Sequence, residues 1–514
     1  MYSSIVNRMM FPYLALVLVV FTVSCTPVGP DFVKPDIETA DDWSEAVSGG
    51  LATEPAELLE WWRVFNDPVL DVLVDDALRN NNNLEIAGLR VLESRAQLGI
   101  AIGSKYPQSQ FAAGEANWVS PADNGGISSN FWQYGIGASA SWEIDFWGRF
   151  RRGIEAADAA YLASIAGYDQ ARILLTSAVV SNYVLIRVFE EQLRIANDNL
   201  KIQKRSYDIA DVLFRNGSDS ELDMQQANTL LLSTQSTIPS LESSLRQARN
   251  ALSTLLGLSP GSVAQRLAPG KGIPALPENI TIGLPADMLR RRPDVRQAEL
   301  LAMAQNAQIG LAKADLYPSF SLAGSIGLSS GGPGDLDFGD LFSTDAISLS
   351  AGASFVWPFL NYGRIKNNVR VQDVRLQQAL LNFSETVLQA AREAEDAIAA
   401  YEGAKKQIKI LAETVTSAER SNELSTLRYK EGFSDYQRVL DAQKSLFSQQ
   451  QRYITAQGDS VNSLVALYKA LGGGWKSDNG LPWINPDTLK TMQDRTDWGD
   501  MIKLDYPQVN DTQR

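Results

Sequence analysis

The side chains that most enzymes use for catalysis are scarce in this chain. Its 514 residues include no histidine and one cysteine, Cys25. A Ser-His-Asp triad, a Cys-His pair, a histidine metal site and an internal disulfide are therefore excluded. No P-loop or G-x-G-x-x-G fingerprint is present, and a net charge of -14 argues against binding to nucleic acid. We expect a protein that is not an enzyme and that holds no metal or cofactor.

The position of Cys25 suggests a different chemistry for it. Arg8 precedes an apolar run, residues 11–23, which is shorter than the roughly 20 residues of a membrane span and is typical of a signal peptide. The residues Thr22-Val23-Ser24 before Cys25 resemble the bacterial lipobox, which implies cleavage before Cys25 and acylation of its sulfur and its new amine. Several acyl chains would anchor the protein stably to a membrane. The alternative is an ordinary signal peptide followed by an incidental cysteine.

Most of the chain consists of two copies of one pattern. Tyr106-Pro107 recurs as Tyr317-Pro318, an offset of 211 residues, and Trp147-Gly148-Arg149 matches Tyr362-Gly363-Arg364 at an offset of 215. Further matches occur at these two constant offsets, which indicates an internal duplication.

Each copy contains a long segment without proline. Residues 151–213 and 366–428 are rich in Ala, Leu, Glu, Gln and Arg and predict helices roughly 95 Å long. Helices of this length cannot pack into an ordinary compact globule, so we expect a rod or a tube. A soluble coiled-coil bundle is the alternative.

Four shorter segments predict strands with one apolar face. Residues 132–144 alternate between large apolar side chains and mostly Gln, Gly or Ser; residues 320–328 and 347–357 do the same, and residues 110–119 do so less regularly. Trp132 and Trp142 would lie roughly 24 Å apart in a tilted strand, close to the height of the apolar band of an outer-membrane barrel. With Trp357 they predict an aromatic girdle at the membrane. A half-buried strand of a soluble protein is the alternative.

These patterns divide the chain into six parts. We expect a signal peptide (1–24), a lipidated N-terminal segment (25–66), a first repeat (67–258), a linker rich in Pro and Gly (259–284), a second repeat (285–472) and a polar C-terminal tail (473–514). Each repeat would contain a helix, two strands and two long helices.

Together these features resemble the TolC-type outer-membrane efflux proteins, in particular the NodT-like lipoprotein branch. The resemblance rests on three motifs: Thr26–Phe32, Arg291–Val295, and Tyr429–Gly432 followed by Val439–Gln443. It implies an α+β membrane protein that forms a homotrimer, in which four strands per chain give a twelve-stranded β-barrel continued by a long periplasmic α-helical barrel. The implied partners are outer-membrane lipid, a periplasmic adaptor (membrane fusion) protein and an inner-membrane resistance-nodulation-division pump.

The resemblance assigns the turns between the two longest helices of each copy to the periplasmic tip. The adaptor would contact Gly217 and Ser218 in the first turn and Gly432 and Phe433 in the second. In each turn the glycine can adopt the left-handed backbone that ends a helix.

The resemblance also implies a gate at this tip. Asp441 falls where the family has a pore-narrowing aspartate, and three such carboxylates would form a ring that attracts cations and repels itself. Arg438 replaces a second family aspartate and can pair with that ring, whereas Gln437 replaces a leucine and would seal less well. Tyr429 and Asp223 match a pair that latches the helices in some members. An ordinary solvated carboxylate is the alternative role for Asp441.

Three functions fit the sequence. The first is an outer-membrane channel that passively conducts drugs, metals or other toxic compounds after docking with an adaptor and a pump. The second is the channel of a type I protein secretion system. The third, from another class, is a periplasmic coiled-coil scaffold lipoprotein without a pore.

Overall fold

A computed structural model describes residues 26–37, 59–120, 130–267, 272–277, 290–330, 338–475 and 482–504. The predicted signal peptide and Cys25 lie outside the described residues. The chain forms two compact units, each drawn from both sequence copies. Of the described residues, those within 1–35, 92–164 and 298–383 belong to unit 1, and those within 36–91, 165–297 and 384–514 belong to unit 2.

In both copies, the elements follow one another in the same order from the helix that precedes the first strand. The first copy contains α1 (Pro68–Asn80), α2 (Asn82–Gly103), β1 (Ser109–Val119), β2 (Phe131–Ile144), α3 (Arg149–Arg215) and α4 (Glu221–Leu255). A short helix, α5 (Ala264–Leu267), follows it. The second copy contains α6 (Pro293–Ala314), β3 (Ser319–Ser330), β4 (Ile347–Val356), α7 (Arg364–Lys430) and α8 (Tyr436–Ala470), and the tail contains α9 (Pro486–Arg495).

The predicted internal duplication is confirmed in the lengths of these elements. Helices α3 and α7 each have 67 residues, and α4 and α8 each have 35. Helices α2 and α6 each have 22 residues. Because α3 and α7 extend two residues beyond the predicted helices at both ends, each is about 100 Å long.

Four strands form one antiparallel sheet in the order β1-β2-β3-β4. The register places the large apolar side chains of β2, β3 and β4 on one face, since Ile136 pairs with Leu328 and Leu328 pairs with Ile347. The opposite face carries mainly Gly and Ser, where Ser325 Oγ and Ser350 Oγ are 2.8 Å apart. Within the chain, β1 and β4 each pair on one side only. An open edge of this kind needs a partner strand.

The N-terminal helices of unit 2 begin at polar caps. The Asp67 carboxylate accepts hydrogen bonds from the amides of Val69 and Leu70 at 3.0 and 3.4 Å, and Pro68 occupies the first helical position. Asp67 also accepts a hydrogen bond from the hydroxyl of Tyr183 in α3. This capping residue therefore fastens α1 to the long helix.

In both copies, a side chain donates a hydrogen bond to the last carbonyl of the 35-residue helix. Asn81 Nδ2 donates to the carbonyl of Leu255 at 2.8 Å, and a guanidinium nitrogen of Arg292 donates to the carbonyl of Ala470 at 2.8 Å. Arg292 also binds the carboxylates of Asp294 and Glu393 at 2.7 and 2.8 Å. The Arg291–Val295 motif therefore caps one helix and starts the next.

Part of the polar tail packs onto unit 2. The indole of Trp483 stacks on Tyr168 at 4.8 Å, and Ile484 is 2% exposed. Gly88 of α2 lies so close that an added Cβ would be 2.2 Å from the Trp483 carbonyl oxygen. This contact fastens the start of α9 to the helices of unit 2.

One stretch of α3 is as apolar as a membrane span. Its most apolar 18-residue window has a mean hydropathy of 1.5, but 61% of that window is buried inside the protein. The stretch is therefore explained by packing against neighbouring helices.

Candidate functional site

The sheet presents its aromatic side chains at both ends of the apolar face. Trp132 and Trp142 lie on this face in β2 and are 47% and 38% exposed, and Trp357 follows the end of β4. At the end nearest the long helices, the indole nitrogens of Trp142 and Trp357 donate to the carbonyls of Lys105 and Leu316, each at 3.1 Å. The two contacts are equivalent in the two copies.

The sequence interpretation missed an aromatic residue in β1. Trp118 pairs with Trp132 across the strands, with ring centroids 5.4 Å apart. The alternation of residues 110–119 is irregular because Phe111 lies on the same face as Glu115 and Asn117, opposite to Trp118. The signal that could have found it is the pair of tryptophans on either side of the Pro-, Gly- and Ser-containing segment 120–130 of the sequence.

The two tip turns have the same backbone geometry. In the first, the amide of Ser218 donates to the carbonyl of Leu213 and the amide of Gly217 to that of Phe214, both at 2.9 Å. Gly432 and Phe433 make the equivalent bonds in the second turn at 3.0 and 2.9 Å. This is the Schellman arrangement, and it requires the positive φ of 69° and 75° that the glycines adopt.

An apolar cluster lies behind these turns. It contains Ala210, Ala227, Leu230, Tyr429, Tyr436, Val439 and Leu440. The cluster joins the ends of all four longest helices and leaves Phe433 outside, 77% exposed. An exposed aromatic side chain at a turn is available to a partner.

The two residues of the predicted latch make separate contacts within the chain. The hydroxyl of Tyr429 donates to Asp219, not to Asp223. Asp223 instead belongs to the cap of α4: its amide donates to Ser220 Oγ at 3.2 Å, and its carboxylate lies 2.8 Å from that hydroxyl. The helical cap holds Asp223 in the first turn of α4, while Asp219 lies in the loop that faces Tyr429.

These groups perturb one another's ionisation. Burial would raise the pKa of Asp219, but hydrogen bonds from Tyr429, Asp223 and the Ser220 amide hold it below its ordinary value. Burial and the neighbouring Asp219 raise the pKa of Asp223. Burial and the hydrogen bond to Asp219 raise the pKa of Tyr429. Asp219 is therefore the charged acceptor, and Asp223 takes up a proton first as the pH falls.

The predicted gate residues lie on the exposed side of α8. Gln437 Nε2 donates to the carboxylate of Asp441 at 3.1 Å, so the structure brings these two together. The nearest carboxylate to Arg438 within the chain is Asp435 at 3.9 Å, with both side chains more than 70% exposed. The gate role of Asp441, Arg438 and Gln437 stays a prediction.

This combination defines a class of protein. A two-faced sheet with open edges, joined to helices of 67 residues, is the protomer of a membrane channel completed by further chains. The chain belongs to the outer membrane efflux protein family, whose family model matches residues 73–258 and 284–473.

Individual relatives support this assignment. The chain is 30% identical to the cation efflux system protein CusC of Escherichia coli, covering 87% of this chain and 96% of that one. It is 33% identical to the solvent efflux pump outer membrane protein SrpC of Pseudomonas putida, covering 87% and 95%. The solved outer-membrane channel OprN superposes with a TM-score of 0.82 at 30% identity, covering 87% of this chain and 99% of that one.

The comparisons confirm the predicted fold class. The protein is an α+β membrane protein of the outer membrane, in which four strands per chain contribute to a trimeric β-barrel that long helices continue into the periplasm. Its relatives are channel proteins and not enzymes, which favours the channel over the periplasmic scaffold.

Proposed function

We propose that the chain is the outer-membrane subunit of a tripartite efflux system and passively conducts small toxic compounds after docking with a periplasmic adaptor and an inner-membrane pump. The observation that supports this most strongly is the two-faced sheet. Its apolar face suits lipid, and its face of Gly and Ser suits a water-filled lumen.

The cargo is set by the pump in this proposal. CusC is named for cation efflux and SrpC for solvent efflux, yet this chain is similar to both at nearly the same identity. Within the described part of the chain, no three acidic, Cys or His side chains come together to hold a metal ion. A lumen face of Gly and Ser without such a cluster among its described residues supports conduction without selection among small compounds.

Three further features complete the proposal. Acylation of Cys25 would anchor each chain to the inner leaflet of the outer membrane. The turns with Gly217, Ser218, Gly432 and Phe433 would receive the adaptor. Asp441 would narrow the closed tip, and Tyr429 with Asp219 would hold it shut until the adaptor docks.

Electrical recording tests this function directly. Purified trimers in a planar bilayer should conduct, and the current should increase when the contact between Tyr429 and Asp219 is weakened. Deleting the gene should raise the sensitivity of the cell to small toxic compounds without altering protein secretion. Trimers that never conduct, in either wild-type or weakened form, would show the proposal to be wrong.

A further inference from the structure

The motif Thr26–Phe32 occupies a defined place in unit 1. We call residues 26–35 the strap. It begins where β2 gives way to α3: the amide of Val28 donates to the carbonyl of Trp147 at 2.9 Å, and a Cβ added to Gly148 would lie 2.4 Å from Pro27 Cβ. Trp147 in turn donates to the carbonyl of Pro318, just before β3, at 2.8 Å. The start of the strap is therefore tied to the end of the sheet.

The strap then runs along α6 in the antiparallel direction. Gly29 lies on Gly310, where an added Cβ on Gly29 would be 2.5 Å from Gly310 Cα. Asn306 donates to a strap carbonyl at 3.0 Å, and Lys34 binds Glu299 at 2.7 Å. The five residue steps from Gly29 to Lys34 in extended chain and the eleven steps from Glu299 to Gly310 in a helix both span about 17 Å. The strap is thus extended along the helix, and its N-terminal end is the end nearest the sheet.

A buried arginine holds the strap. The Arg152 side chain is 4% exposed, and its guanidinium lies 3.3 and 3.4 Å from the carbonyl oxygens of Val28 and Gly29. It also binds the carboxylates of Asp31 and Glu155, each at 2.8 Å. Because three of these four contacts are to strap residues, the planar guanidinium fixes the strap in one position.

We propose that Arg152 and Gly310 are positioning residues for the lipid anchor. Cys25 precedes Pro27 by two residues, which span at most about 7 Å. Acyl chains on Cys25 would therefore be attached beside the junction of β2 and α3, at the end of the sheet where Trp142 and Trp357 lie. An anchor held there keeps the edge of the sheet at the lipid boundary, whereas a loose tether would hold only the chain terminus. This inference rests on the proposed acylation of Cys25.

A pair of glycine substitutions tests whether the strap is held as described. Gly310→Ala would place a Cβ 2.7 Å from the Val28 carbonyl oxygen and 2.8 Å from Arg152 Cγ. Gly153→Ala, in α3, would meet only Leu311 Cδ1 at 3.6 Å. Alanine favours both helices, so only the clash distinguishes the two variants. Hydrogen exchange of Val28 should accelerate about tenfold in Gly310→Ala, and remain unchanged in Gly153→Ala.

Arg152→Lys is the second test, because it keeps the charge but loses the planar fork. It should also release the strap while the amides of β2 and β3 remain protected. Strap amides that stay protected in both Gly310→Ala and Arg152→Lys would overturn the proposal.

A positioning role predicts a dependence on acylation that a purely structural role does not. With Cys25 present, Gly310→Ala should lower several-fold the yield of SDS-resistant trimers in the outer-membrane fraction. In a Cys25→Ser background there is no anchor to position, so Gly310→Ala should cause no further loss. Equal losses in both backgrounds would show that Gly310 acts only on folding.

The two proposals can fail separately. Labelling with radioactive palmitate, with Cys25→Ser as the blank, shows whether the anchor exists, and bilayer recording shows whether the trimer conducts. Normal palmitate labelling and conductance together with an unheld strap would overturn this inference alone. Wild-type protein that takes up no palmitate would overturn the acylation of Cys25 and the positioning role together.

Discussion

The hydroxyl of Tyr429 donates a hydrogen bond to the carboxylate of Asp219, and this bond joins the end of α7 to the turn between α3 and α4. The two residues are 210 positions apart and come from different copies of the repeat. Because the ring of Tyr429 is buried in the apolar cluster, its hydroxyl is held at a fixed place. The bond therefore connects the two helical hairpins of the tip, and in the proposed gating it holds them together.

Removing this hydroxyl should loosen the tip. Tyr429→Phe keeps the ring in the cluster but loses a hydrogen bond to a charged acceptor, which contributes about 1 kcal/mol because the Asp219 carboxylate is partly exposed. We expect trimers in a planar bilayer to spend more time open. Tyr207→Phe removes a hydroxyl from a ring that packs on the same cluster without touching the Asp219 bond, and should leave the open fraction unchanged.

The stability of the tip, where Tyr429 binds Asp219 and Asp223 caps α4, should depend on pH in two opposite ways. Because the pKa of Asp223 is raised, its negative charge destabilises the folded tip at neutral pH. The tip should therefore become more stable as the pH falls through that raised pKa. The lowered pKa of Asp219 gives stabilisation that is fully present above 3.8 and is lost as the pH falls through its lower folded value. Hydrogen exchange of the amide of Gly432, corrected for the intrinsic rate, should therefore be slowest at an intermediate acidic pH.

Two substitutions separate these contributions. Asp223→Asn should abolish the tightening on mild acidification, and Asp219→Asn should abolish the loss at lower pH. If both variants keep the wild-type profile, other groups control the pH response of the tip.

Adjacent residues of β3 test which face of the sheet meets lipid. Ile326 is on the apolar face and 58% exposed, whereas Ser325 is on the opposite face and contacts Ser350. An acidic side chain on the lipid face destabilises a membrane barrel by roughly 1–3 kcal/mol. Ile326→Asp should therefore reduce trimers in the outer-membrane fraction, while Ser325→Asp should be assembled normally. The opposite result would mean that the faces are reversed.

A change at Asp441 should alter the ionic preference of the channel. If three Asp441 carboxylates converge in the lumen, Asp441→Asn removes three charges and should lower the permeability of cations relative to anions. Asp459 is an exposed aspartate on the same helix, about 27 Å further along it. Asp459→Asn should change the ratio less. Reversal potentials in a salt gradient measure both, and an unchanged ratio in Asp441→Asn would leave Asp441 as an ordinary surface carboxylate.

Helix α8 passes very close to α3 at one point. A Cβ added to Gly458 would lie 2.4 Å from Val188 Cγ2, so Gly458→Ala should overpack the contact and destabilise the protein by about 1–3 kcal/mol. Val188→Ala should partly rescue it. Gly403 of α7 is exposed with nothing within 4 Å of an added Cβ, so Gly403→Ala should be slightly stabilising. Thermal unfolding of the trimers compares the three variants.

The sequence by itself determined the strands, the long helices and the duplication. These features are local or periodic: alternation along residues 132–144 specifies a two-faced strand, and a long segment without proline specifies a long helix. The predicted helices were short by two residues at each end, and at the C-terminal ends the limits are set by the capping glycines Gly217 and Gly432 and not by composition. The lone Cys25 also pointed to an anchor, although its acylation is still a proposal.

Only the tertiary structure decided which distant side chains meet. Tyr429 binds Asp219, a residue that the sequence analysis did not single out, while the cap of α4 holds Asp223 in its own first turn. Strand register placed Trp118 beside Trp132, and the packing of two glycines brought the strap onto α6. Such contacts depend on how helices and strands are placed in space, and residue spacing along the chain does not encode that placement.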